Sequence, residues 1–165
     1  MTRTARRGFE KGTDLSRFWG EIVSGGWGAN HPYLLLLGLD PMDTPRLVER
    51  VEEGLSFGEL ERLRQNMGLS TDEMAELVQI RPRTLDRRKK EGRLHPEESD
   101  RLLRASRVFG RAIALFEGDV EGALGWLSTS QRALGGVVPL EMARTEIGAR
   151  EVEGLIGRLE HGVFS

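Results

Sequence analysis

Residues 70–93 read STDEMAELVQIRPRTLDRRKKEGR, and the fold turns on this stretch. Ser70 is a favourable N-cap, and Glu73 three residues on completes a capping box, so a helix is predicted to begin here. Met74, Ala75, Leu77 and Val78 follow with helical spacing. Ile80 closes a turn, and Pro82 stands where a first helical position tolerates it, because its missing N–H would have no partner there. Leu85 is the one clear apolar anchor of the second helix, and small Ala75 lets two helices approach closely. Two short helices across a tight turn make a helix-turn-helix, whose second helix enters the DNA major groove. Two positions depart from the usual pattern. Gln79 stands where the turn often has Gly, which implies a left-handed residue held at a steric cost. Arg88 stands where the second helix often has an apolar side chain.

Charge supports this reading. Residues 81–111 hold nine Arg and two Lys against five acids, a net of +6. Residues 1–80 carry a net of −4, as do residues 112–165. The total of −2 therefore hides a basic centre between acidic flanks. A charge run by itself commonly marks a solvated helix face. Here it coincides with the turn-helix pattern, and Lys and Arg so placed neutralise phosphates and release counterions. Arg81, Arg83, Thr84 and Arg87 fall at or near the start of the recognition helix, where base edges are reached. Arg88, Lys89 and Lys90 are expected to touch phosphate or solvent.

The chain of 165 residues suits one domain or two small ones. It has no Cys, which excludes disulfides and Cys-based zinc sites and fits a reducing cytoplasm. No apolar signal core follows the basic first residues, and the run Leu34–Leu37 is far too short to span a bilayer. Residues 1–12 are basic and expected to be mobile. Leu15, Phe18, Trp19, Ile22 and Val23 share a helical face. Leu34–Leu39 reads either as a short buried strand or as a helical turn, since an unbroken apolar run has no period. Asp43-Thr44-Pro45 starts a helix that Gly54 ends.

Beyond that point Ser56 and Glu59 form a second capping box, and Phe57, Leu60, Leu63 and Met67 make an apolar stripe closed by Gly68. Pro96 with Glu97 and Glu98 opens a long helix, either a shared spine or a helix broken near Gly110. Asp119 caps a helix through Leu127, Pro139 starts another that Gly148 ends, and a last helix runs roughly from Ala149 to Glu160. Gly154 and Gly157 interrupt that helix at about 1 kcal/mol each relative to Ala, which points to close approach by another helix or a partner. The fold class is all-α: a partly mobile N-terminal extension over 1–55, a helix-turn-helix unit over 56–110 and a small helical unit over 111–165.

No catalytic constellation emerges. His31, His95 and His161 lie far apart in sequence, no metal site or nucleotide fingerprint is present, and paired acids such as Glu52-Glu53 sit at helix ends.

Three blocks carry a family resemblance. They are RTLDRRKKEGRL at 83–94 followed by ESDRLLR at 98–104, ALGWL at 123–127, and ALGGVVPLEMARTEIGAREVEGLIGRLEHGVFS at 133–165. Together they resemble the Xre/MbcA/ParS antitoxins that pair with RES-domain toxins. The resemblance implies a cytoplasmic non-enzyme without a cofactor. Such a protein binds and inhibits a toxin that consumes NAD or uses it for ADP-ribosyl transfer, and it represses its own operon, commonly as a homodimer on operator DNA. It further implies that the final helix and tail approach the toxin's NAD pocket. Arg158, His161 and the terminal carboxylate of Ser165 would be polar contacts there, with Leu155, Val163 and Phe164 on the apolar side. The alternative is an autonomous helix-turn-helix regulator whose C-terminal unit binds another protein or a small effector.

Overall fold

The structure is a computed structural model, and it describes residues 13–28 and 30–162. The expected mobility of residues 1–12 and the roles given to Val163, Phe164 and Ser165 lie outside the described residues. Among those described, the chain forms α1 (Asp14–Gly25), a 3-10 helix over Pro32–Leu37, α2 (Thr44–Glu53), α3 (Phe57–Met67), α4 (Thr71–Leu77), α5 (Pro82–Glu91) and α6 (Pro96–Leu115). It continues through α7 (Val120–Leu127), a 3-10 turn over Arg132–Leu134, α8 (Pro139–Met142) and α9 (Glu146–Glu160).

Both predicted capping boxes form. The Ser56 hydroxyl accepts from the Glu59 backbone N–H at 3.3 Å, while the Glu59 carboxylate accepts from the Ser56 N–H at 2.8 Å. Ser70 and Glu73 repeat the exchange at 3.1 and 3.0 Å. Each box satisfies two of the N–H groups that a helix start leaves without partners.

The spine is α6. Leu102, Val108, Phe109, Ala112 and Ile113 along it are essentially inaccessible to water. It runs unbroken through Gly110, because that glycine leaves room for aromatic rings and does not end the helix. A Cβ there would come within 3.1 Å of the Phe18 ring and 3.3 Å of Trp27. The neighbouring Arg111 guanidinium lies 3.8 Å from the centre of the Trp27 ring, a cation–π contact that holds the α1 end against the spine.

Leu34–Leu37 is a 3-10 helix, which rules out the strand alternative, and all four leucines are buried among α1, α3 and α6. The chain enters this helix through His31 in the left-handed region, φ 53°. Asp14 at the start of α1 accepts both Nε and Nη2 of Arg62 on α3, at 2.8 and 2.6 Å, and Asn66 adds a third donor at 3.1 Å. Burial raises the Asp14 pKa, but these donors outweigh it and hold the carboxyl below its ordinary range.

At the other end α7 and α9 pack on α6. The last helix starts at Glu146, earlier than its glycines suggest, with Thr145 as N-cap accepting from the Gly148 N–H at 3.0 Å. Gly148 does not end a helix. It lies inside the first turn of α9, where a Cβ would run into the Met142 carbonyl, so it marks the close seating of α8 on α9.

Candidate nucleic-acid interface and partner-binding unit

The turn between α4 and α5 is closed by the Ile80 N–H donating to the Ala75 carbonyl at 2.9 Å. Gln79 adopts φ 55°, the left-handed conformation that its place in the turn demands. Met74, Ala75, Val78, Ile80 and Leu85 are buried and seat α5 against the bundle. The end of α5 is stitched to the start of α3: the Phe57 N–H donates to the Gly92 carbonyl at 3.0 Å, and the Leu94 N–H to the Leu55 carbonyl at 2.8 Å. Gly54 is required at this crossing, because a Cβ there would meet the Leu94 carbonyl. The recognition helix is therefore held along its length by backbone and core contacts, and its outer face is left free of structural duty.

On that face Arg81, Arg83, Arg87, Lys89 and Lys90 are exposed, and Thr84 is half-buried beside them. None of the five cations joins an ion pair among the described residues. Arg88 behaves differently and corrects the sequence expectation of phosphate or solvent contact. Its side chain is 7% exposed and its Nε lies 2.7 Å from Glu98, itself 8% exposed. Nη1 reaches Glu91 at 3.3 Å and Nη2 meets His95 Nδ1 at 3.1 Å. Arg88 thus occupies the inward position that an apolar residue often fills, and its charge is neutralised within the fold. Burial alone would raise the Glu98 pKa. The Arg88 guanidinium and the His95 N–H outweigh it and hold the carboxyl low.

The C-terminal unit is joined to α6 by charge as well as packing. Arg107 donates to Glu153 at 2.7 Å and to Glu146 at 3.1 Å. Arg104 donates to Glu146 at 3.0 Å and to the Arg144 carbonyl at 3.0 Å. Arg144 in turn reaches back to Glu76 on α4 at 2.8 Å. Of the predicted contact residues here, Arg158 is half-buried at the side of α9, with its guanidinium 4.0 Å from Glu151, and His161 is exposed. Leu155 is buried at 6% exposure among the core side chains, so it anchors α9 to the fold and offers no surface to a partner. Sequence reading missed Ile147 on α9, which is 85% exposed. The misplaced start of the helix hid it, because a residue outside the helix has no assignable face.

Among the described residues, no three His, Asp or Glu side chains cluster in a way that could hold a metal ion. His31 bridges Thr44 at 2.9 Å and Tyr33 at 3.0 Å. No helix among them is long and apolar enough to cross a membrane.

Two stretches of the chain match described families. Residues 46–107 match the antitoxin Xre-like helix-turn-helix domain, and residues 111–162 match the antitoxin Xre/MbcA/ParS C-terminal toxin-binding domain. A curated relative, antitoxin Xre of Yersinia enterocolitica, is 39% identical over 130 residues, covering 78% of this chain and 88% of the relative. The chain belongs to the Xre antitoxin family. A second member, antitoxin Xre of Photorhabdus laumondii, is 32% identical over 82% of this chain and 93% of its own length. A third, from Pseudomonas putida, is 28% identical over 73% and 79%. The helix-turn-helix match begins within α2, so the Xre-like domain takes in the helix before the Ser56 capping box. The two matches meet on α6, the helix on which both parts of this Xre-family chain are built.

Proposed function

We propose that this chain neutralises a RES-domain toxin, one that consumes NAD or transfers ADP-ribose from it, and that it represses its own operon. The observation that carries the reading is the union, in one chain, of an outward cationic recognition helix with a unit that matches a toxin-binding domain. The functional division falls within α6. Residues 56–110 read operator DNA, residues 111–165 engage the toxin, and α1, the Pro32–Leu37 helix and α2 buttress the spine.

On the DNA side, Arg81, Arg83, Thr84 and Arg87 face base edges, while Lys89 and Lys90 neutralise phosphates. Two copies reading two half-sites make a homodimer the natural DNA-bound form. On the toxin side, the chain acts by occlusion and performs no chemistry of its own. Arg158, His161 and the segment Val163-Phe164-Ser165 approach the toxin's NAD pocket. No cofactor is required of the antitoxin, since the NAD chemistry belongs to its partner. Both partners place it in the cytoplasm.

Co-expression with the product of the adjacent reading frame tests this. Growth arrest by that product alone, relieved by the full-length chain with a stable co-purifying complex, is the expected result. Operator binding without any rescue would instead indicate an autonomous regulator.

A further inference from the structure

The inner face of α9 is set by Ala149, Val152 and Ile156, each wholly buried. Steps of four, three, four and three residues then place Ile147, Glu151, Gly154, Arg158 and His161 along one line on the other side of the helix. Single exposed apolar residues are ordinary on protein surfaces. Ile147 is set apart by its degree of exposure, 85% against 68% for Val23 and 47% for Val48, and by its alignment with Arg158 and His161. The line also passes through a glycine that the fold does not need. A Cβ at Gly154 would meet only the Arg158 guanidinium, at an ordinary 3.5 Å, so nothing inside the chain demands the absence of a side chain there. Glycine in an exposed helix interior nonetheless lowers helix stability relative to Ala.

We propose that this outer face of α9 is the surface that seats the toxin, with Ile147 as its apolar anchor and Gly154 as the point where toxin backbone comes closest to the helix. The inference rests on the toxin-neutralising reading above. The occupant follows from position: the face lies entirely within the stretch matching a toxin-binding domain, and it includes Arg158 and His161, two of the residues assigned above to the toxin. Ile147 takes the anchoring role that the buried Leu155 cannot fill. Buried apolar side chains surrounded by a polar rim dominate such interfaces, and here Glu151 and Arg158 supply the rim.

The test uses the full-length chain and its Ile147→Asp, Gly154→Ala and Val23→Asp variants. Each is titrated by interferometry against the immobilised product of the adjacent reading frame, with circular dichroism and light scattering on the same samples. Ile147→Asp is expected to fold as the parent does and to weaken binding about tenfold or more. Gly154→Ala is expected to raise the Tm by about 2–4 °C while also weakening binding, an opposition that a purely structural glycine would not produce. Val23→Asp, on α1 and outside the toxin-binding match, should change nothing. Parent-like affinity in Ile147→Asp or in Gly154→Ala overturns the proposal, as does an equal loss in Val23→Asp. Altered self-association of Ile147→Asp with unchanged toxin affinity would assign the face to a second copy of the chain and likewise overturn it. If the parent chain itself does not bind the product, the toxin-neutralising reading fails, an outcome distinct from failure of the face alone.

Discussion

Arg88 on the recognition helix and Glu98 at the start of the spine form a buried ion pair, Nε to Oε1 at 2.7 Å, with both side chains under a tenth exposed. The pair fixes the angle at which the recognition helix leaves the bundle, because Glu98 simultaneously accepts the His95 N–H at 2.8 Å and so belongs to the α6 start. Removing one partner leaves the other charge buried and uncompensated. Glu98→Ala is expected to cost about 3–5 kcal/mol, whereas replacing both by apolar residues, Arg88→Met with Glu98→Leu, should cost much less. Urea unfolding of the single and the double variant measures this.

The same pair makes stability depend on acid. The folded-state pKa of Glu98 lies below its ordinary value of 4.5. Its contribution is therefore complete above about pH 4.5 and is lost as pH falls through the lower folded value. A Glu98→Gln variant should be less stable at neutral pH, with the difference from the parent narrowing as the medium is acidified. Denaturant midpoints from pH 7 down to pH 3 check the sign.

Operator binding should separate the α5 cations by role. A double Arg83→Ala, Arg87→Ala variant is expected to lose about 1–3 kcal/mol per base contact removed and to relax sequence preference. Lys89→Gln and Lys90→Gln should weaken binding to all sequences alike, each lowering the salt slope by about 1. Arg88→Met should leave that slope unchanged, since its charge is already paired. Gel shifts at several salt concentrations distinguish the three classes.

Gln79 holds φ 55° in an exposed turn, a conformation in which glycine carries no Cβ penalty. Gln79→Gly is expected to stabilise the protein by about 1 kcal/mol, read as a higher thermal midpoint. A fall in the midpoint would mean that the Gln side chain makes a contact that outweighs the backbone strain.

The two glycines at the ends of α9 predict opposite signs. Gly148→Ala forces a Cβ into the Met142 carbonyl and should destabilise, while Gly157→Ala enters open space and should stabilise by up to about 1 kcal/mol. Paired thermal melts decide it.

These positions also separate what is legible in the sequence from what only the packed fold decides. Capping boxes, the Pro82 and Pro96 helix starts and the Gln79 turn were legible, because each is governed by residues within a few positions of one another. The Leu34–Leu37 helix was not, since a run apolar on every side has no period and its conformation is fixed by α1, α3 and α6 around it. Gly148 was misread for a related reason: a glycine that ends a helix and one that admits a neighbouring backbone look the same until the neighbour, here Met142, is placed. Arg88 looked like a surface cation because its partner sits ten residues away across a turn. A fragment starting at Arg111 would cut through the helix against which α7 and α9 pack, so surface variants of the full chain are the sounder probe.

An NAD-consumption assay tests toxin neutralisation most directly. The purified product of the adjacent reading frame is assayed alone and with increasing amounts of the full-length chain. The product alone is expected to deplete NAD, and the full-length chain to abolish this at a fixed stoichiometric ratio, with the Arg83→Ala, Arg87→Ala variant inhibiting equally well. NAD depletion that persists in the presence of excess antitoxin, or a partner with no activity toward NAD at all, would contradict it.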